Sequence, residues 1–256
     1  MPRVNRMRSL GRWFATTNLV LLASLAIAAL SQSSDSMPAT RIPTNVAWTS
    51  ATISAASNGN AVRGLILSRR CERCHGQEGF SPEPSTPNLA GLDNLSLWKQ
   101  LTDFHDGKRP SAVMQPLAAV LAPQDLVDLA AYYATLPTYA DPQDQRAFPQ
   151  QMPESERMFK PARIVAGGDG PRGIPPCQTC HGPLAKKIGA PLLLSQNSVY
   201  IQDQLDAFAH GRRANDINMP MRSIAAALTA QERQAIADYY GSGEANYQGK
   251  ATQQLR

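Results

Sequence analysis

No glycine-rich phosphate loop, catalytic triad or paired carboxylates stand out in the 256 residues. The nearest approach to a carboxylate pair, in GQEGFSPEPS, reads as a polar loop. These absences argue against nucleotide-driven, triad-based and glycosidase-type chemistry. A basic surface is lacking too, although the formal charge is +5. Arg3, Arg6, Arg8 and Arg12 carry most of that excess, and the rest of the chain is left at +1. A nucleic-acid partner is therefore not expected. Disorder on a large scale is also excluded, because 43% of the residues are hydrophobic and only 18% charged. Cysteine is scarce at four residues, and the placement of those four carries most of the information.

The arginine-rich start runs into an apolar stretch from Trp13 to Leu30 that ends in small residues. This pattern reads as an export signal, with cleavage fitting after Ala28 or after Ser31. The stretch, about 27 Å long as a helix, is also the shortest that spans a membrane, so residues 1–31 are a signal peptide or a membrane anchor. In both cases the basic flank stays in the cytoplasm and the remainder faces the periplasm, soluble or tethered to the inner membrane.

An even cysteine count in an exported chain ordinarily suggests disulfides. Here the pairs are CERCH at 71–75 and CQTCH at 177–181, each closed by histidine and then glycine. Covalent haem attachment requires two thiols to add to the porphyrin vinyl groups and an imidazole beneath the iron. Cysteines three apart on a helical turn reach both vinyls, and the next histidine faces the metal. A four-cysteine zinc site is the weaker reading, because the pairs lie 106 residues apart. A thioredoxin-like pair calls for a βαβ pattern that the flanking sequence does not show. Cys71, Cys74, Cys177 and Cys180 are thus read as attachment sites for two haem c groups, with His75 and His181 on the iron.

An internal repeat reinforces this. Pro87, Gln100, Phe104 and Gly107 match Pro191, Gln204, Phe208 and Gly211 at an offset of 104. Met114, Ala118, Leu121 and Tyr132/Tyr133 match Met221, Ala225, Leu228 and Tyr239/Tyr240 at 107, and Arg109 matches Arg213. Apolar spacing predicts helices over 60–70, 96–104 and from Pro123 to before Pro137, then 200–209 and 230–240. The expected class is all-α, with two small units each built around a covalent haem that supplies the apolar centre. Gly64 is placed for a close approach by a crossing helix with an aromatic packed on it, and the tyrosine pairs read as helix-packing residues.

The sixth iron ligand decides between electron carriage and chemistry at an open face. Met114 and Met221 lie 39 and 40 residues after their histidines, in what reads as a loop before the last helix of each unit. Met219 is a rival, but only Met221 keeps the spacing to Ala225 and Leu228. His105 and His210 do not align with each other and read as surface residues. Pro87 and Pro191 are either turn prolines or carbonyl acceptors for the histidine Nδ1–H.

With CERCHG, CQTCHG, PNLAGL, GRRANDINMPMRSIA and GGDGPRGIPPCQTCHG in place, the chain resembles the two-domain, dihaem class I cytochromes c of the c4 type from about Asn60 to Gly241. The resemblance implies two tandem cytochrome c domains facing each other, with His75/Met114 and His181/Met221 as ligand pairs. It also implies electron donation to a terminal oxidase or another respiratory partner. The domain map follows: a flexible leader at 32–59, cytochrome c domains at 60–137 and 161–243, a linker at 138–160 and a tail at 244–256. The leader has no counterpart in the family pattern, and the linker is longer than the family pattern leads one to expect. A free carrier is the leading function, ahead of a haem subunit of a dehydrogenase or oxidase complex. A dihaem peroxidase ranks last, because both units offer a methionine.

Overall fold

Three polar residues set where the first helices begin. The Asn60 side chain caps the helix it precedes by accepting from Arg63 N–H at 3.0 Å, while its own N–H donates to Asp128 Oδ1 at 2.8 Å. Asp93 accepts from Ser96 N–H at 2.8 Å, and Asp125 Oδ2 accepts from Ala122 N–H at 2.9 Å ahead of Pro123. In the computed structural model, which describes residues 43–137, 160–182, 187–194 and 196–241, the order is α1 (Ser50–Ser57), α2 (Ala61–Ser68), α3 (Glu72–His75), α4 (Asn94–His105), α5 (Met114–Ala119), α6 (Pro123–Thr135), α7 (Lys160–Gly167), α8 (Gln178–His181), α9 (Ser198–Ala209), α10 (Pro220–Ala227) and α11 over 230–241. No strand occurs among the described residues; one isolated bridge joins Asp169 and Ile174. None of the described helices is long and apolar enough to cross a membrane. The proposed signal or anchor (1–31) and the tail (244–256) lie outside the described residues, as does all but the last residue of the linker (138–160).

Two hydrophobic cores form, one per repeat. In the first, Leu97 of α4 packs with Leu129, Ala130, Tyr132 and Tyr133 of α6, and Cys71 lies against them. In the second, Ile201, Leu205 and Phe208 of α9 meet Ile236, Ala237 and Tyr240 of α11, with Ile164 and Val165 of α7 closing one side. Helices α2 and α6 cross at Gly64, where an added Cβ would overlap the Asp128 carbonyl oxygen and stand 2.7 Å from Tyr132 Cβ. The glycine and aromatic anticipated for this crossing meet there.

Two expectations are revised. The segment at 32–59, read as a flexible leader, is ordered and packed from residue 43 onward. Val46 and Ala56 are buried, the Trp48 ring packs tilted against Trp98 with centroids 6.2 Å apart, and Thr44 Oγ1 donates to Asp103. Its serine, threonine and alanine content masked a short helix with few apolar residues. The methionines sit not in loops but on helices, Met114 opening α5 and Met221 one residue into α10.

Candidate haem-binding sites

Each Cys-x-x-Cys-His motif forms one helical turn. His75 N–H donates to Cys71 O at 2.9 Å, and His181 N–H to Cys177 O at 2.9 Å, which puts the two sulfurs of each motif on one side. The turn at Gly76 needs a positive φ (76°) and a close pass by the Phe80 carbonyl, so no side chain fits there. Gly182 is different, with an extended backbone at φ −86°. All four cysteines are free of disulfides, and Cys74 is the most open of them. Burial pushes the Cys71 thiol up and the Cys177 thiol to about 11, so both are protonated and nonionic before attachment.

The two imidazoles are held in the same way. His75 Nδ1 donates to the Pro87 carbonyl at 2.9 Å and His181 Nδ1 to the Pro191 carbonyl at 2.8 Å. That bond selects one tautomer and leaves each Nε2 lone pair free for a metal. Burial lowers both imidazole pKa values, against the Pro carbonyl bonds that raise them, and favours the neutral ligating form.

Met221 packs against the same core as Cys177. Met219 is 51% exposed and, with Asn218, occupies the left-handed region (φ 64° and 62°). This strained pair, costing about 1–3 kcal/mol per residue, turns the chain so that Pro220 starts α10 and Met221 comes inward. Met114 is half-buried at the first position of α5, its N–H held by Ser111 Oγ at 3.0 Å. His105 pairs with Asp106 at 2.7 Å and His210 contacts its own helix at Asp206 O, both at the surface. Among the described residues no group of three or more His, Cys, Asp and Glu gathers as an ion site.

The seam between the repeats is polar and buried. Arg109 donates to Gln100 at 2.9 Å and across the seam to Gln204 at 2.7 Å and Tyr200 Oη at 2.8 Å. Arg213 mirrors it, donating to Gln204 and to Gln100, each at 2.9 Å. Each guanidinium lies over its own phenylalanine, Arg109 on Phe104 at 4.6 Å and Arg213 on Phe208 at 4.5 Å. Lys99 Nζ bonds Asn215 O at 2.7 Å and Asp103, the one carboxylate that these three cations touch among the described residues. Burial, then repulsion from Arg109, pushes Arg213 down to about 9. Burial alone would raise the Tyr200 phenol, but Arg109 and Arg213 outweigh it and hold it below its usual range.

This excess of buried positive charge fits the carboxylates of two haem groups, as the free imidazole faces fit their irons. Tyr133 and Tyr240 are buried against the first cysteine of each motif; the Tyr133 hydroxyl faces the Cys71 thiol, and the Tyr240 hydroxyl has no hydrogen-bond partner among the described residues.

Sequence reasoning noticed the matched glutamines and arginines but gave them no role; they are the seam. It missed Gln196 and Asn197 altogether. Gln196 Oε1 accepts from Asn88 N–H at 2.7 Å and its amide donates back to Asn88 O at 2.9 Å. Asn88 follows Pro87, so the second unit braces the carbonyl that orients His75. No repeat signal reveals this, because the two residues serve one side only.

No family model matches the chain. Cytochrome c4 of Pseudomonas aeruginosa is 36% identical over 185 residues, covering 71% of this chain and 87% of that protein. The thiosulfate dehydrogenase electron acceptor of Stutzerimonas stutzeri is 35% identical, covering 67% and 78%. Among solved structures, reduced recombinant cytochrome c4 from Pseudomonas stutzeri superposes with a TM-score of 0.61 at 32% identity, covering 72% of this chain and 98% of that one.

Proposed function

The chain belongs to the cytochrome c4 family, electron carriers with two covalent haem c groups, and from that premise we propose that both its haems are six-coordinate His/Met relays in the periplasm. Cys71 and Cys74 would hold the first haem with His75 and Met114 on its iron, and Cys177 and Cys180 the second with His181 and Met221. The attachment regions would be the cytochrome c domains at 60–137 and 161–243. The haem supplies one-electron redox chemistry. The chain's own residues orient the imidazoles through Pro87 and Pro191, fill the opposite face with thioether sulfur, and keep the two units in fixed register through the seam. A soft sulfur ligand favours the reduced iron and raises the potential.

The observation that carries this reading is the pair of equivalent Nδ1–H···O=C bonds, which leaves both Nε2 atoms free in units that each offer one matched methionine. The electron would pass to a respiratory partner such as a terminal oxidase. A sulfur-compound dehydrogenase on the donor side is the second reading, favoured by the relative named as a thiosulfate dehydrogenase electron acceptor. Absorption and magnetic circular dichroism of the purified protein test the ligation. Two methionine–iron charge-transfer signals and no binding of carbon monoxide are expected; an open high-spin haem would overturn it.

A further inference from the structure

The electron-carrier reading leaves one face of the first unit unused. Helix α2 turns Gly64 and Ser68 to α6, where both are buried. Its other side is open: Val62 is 71% and Ile66 62% exposed, with Leu65 beside them. Arg69 and Arg70 follow in the turn that ends α2, Arg73 lies in α3, and all three are exposed. None of the three forms an ion pair or side-chain hydrogen bond among the described residues, although Arg63 on the same helix is taken up by Asp125 and Asp128. Glu72 is the one carboxylate in this run, so the positive charge dominates locally, which corrects the expectation that the chain lacks a basic surface. The run ends at Cys74, the most open cysteine of the four.

The repeat shows that haem attachment does not require these arginines. Counted from the first cysteine of each motif, Arg69, Arg70 and Arg73 correspond to Pro175, Pro176 and Thr179, and Ile66 to Arg172, which is paired with Asp169 and Glu232. Unpaired arginines beside exposed aliphatic side chains are what a protein interface uses, because guanidinium desolvates cheaply and charge steers encounter. A lipid surface is the poorer fit. Interfacial helices carry a long basic face, whereas α2 has eight residues and its one charge, Arg63, is taken up by Asp125 and Asp128.

We propose that Val62, Leu65, Ile66, Arg69, Arg70 and Arg73 form the docking surface for a redox protein with an acidic patch around its own electron-transfer edge, making the first haem the port for that partner. The step is the passage of one electron: one centre loses it, the other gains it, and no bond or proton changes hands.

The test uses the reduced dihaem protein, mixed rapidly with hexacyanoferrate(III), an anion, or tris(phenanthroline)cobalt(III), a cation, and then with an acidic blue-copper protein. In the R69Q/R70Q/R73Q variant, oxidation by the anion and by the copper protein should slow by about fivefold at about 10 mM ionic strength. The cobalt rate should not fall, and the difference should vanish at high salt. Lys187→Gln, at a groove of about 370 Å³ beside Cys180, should leave all rates unchanged. Unchanged anion rates in the triple variant, or a larger loss from Lys187→Gln, would overturn the proposal. Anionic-vesicle binding abolished by the triple change would instead assign the face to lipid and also overturn it. Absence of the methionine–iron bands in the unmodified protein would fault the ligation reading alone, since the rates report charge at the edge whatever the sixth ligand.

Discussion

At the scale of single residues, ligation separates cleanly from surface histidine. Met114→Ala and Met221→Ala should each remove one methionine–iron charge-transfer band, lower the potential of one haem and open it to carbon monoxide. The other haem should keep its spectrum, because each methionine belongs to its own unit. His105→Ala and Met219→Ala should change neither spectrum, given their surface positions. Carbon monoxide difference spectra on the four variants check this set.

At the scale of helices, the two repeats differ in how their first helix is seated. Gly64→Ala drives a methyl into the Asp128 carbonyl and should cost about 1–3 kcal/mol in urea unfolding. Gly170→Ala, at the corresponding distance before its motif, meets nothing within 4 Å and should be close to neutral. The start of α11 depends on Glu232, which accepts from Thr229 N–H at 2.9 Å while Thr229 Oγ1 accepts from Glu232 N–H at 3.2 Å. The Arg172 guanidinium holds the Glu232 carboxyl at about 2, below its ordinary 4.5. A depressed carboxylate stabilises above its unfolded pKa, and that contribution is lost as pH falls from 4.5 through about 2. Glu232→Gln should therefore be less stable than the unmodified protein at neutral pH, by about 0.5–1 kcal/mol after solvent screening. The gap should close by about pH 2 in unfolding curves taken across the acid range.

At the scale of the whole molecule, the seam makes one body of two units. The described residues from 43 to 241 cluster as a single compact unit, with Arg109 and Arg213 crossing between the repeats and Gln196 bracing Asn88. Arg109→Met removes the donor to Tyr200 Oη and one of the two donors to Gln204 in a part-buried seam, leaves Arg213 as the one guanidinium there, and should cost about 2–4 kcal/mol. Calorimetry should show one transition in the unmodified protein and two in the variant, as each haem unit melts on its own core.

The haem motifs, the repeat, the helical class and the Gly64 crossing were legible in the residues, because each depends on local spacing: a turn presents cysteines three apart, and apolar residues three and four apart share one face. The strap at 43–57, the helical seating of the methionines and the brace from Gln196 to the Pro87 loop were not. Those contacts join residues as much as 108 positions apart, and their strength comes from burial, which no local pattern encodes. The sequence alone determined the two Cys-x-x-Cys-His motifs and the repeat that carries them; only the tertiary structure decided that the two repeats are held as one unit, because charge and hydrogen bonding acquire that weight only where folding excludes water.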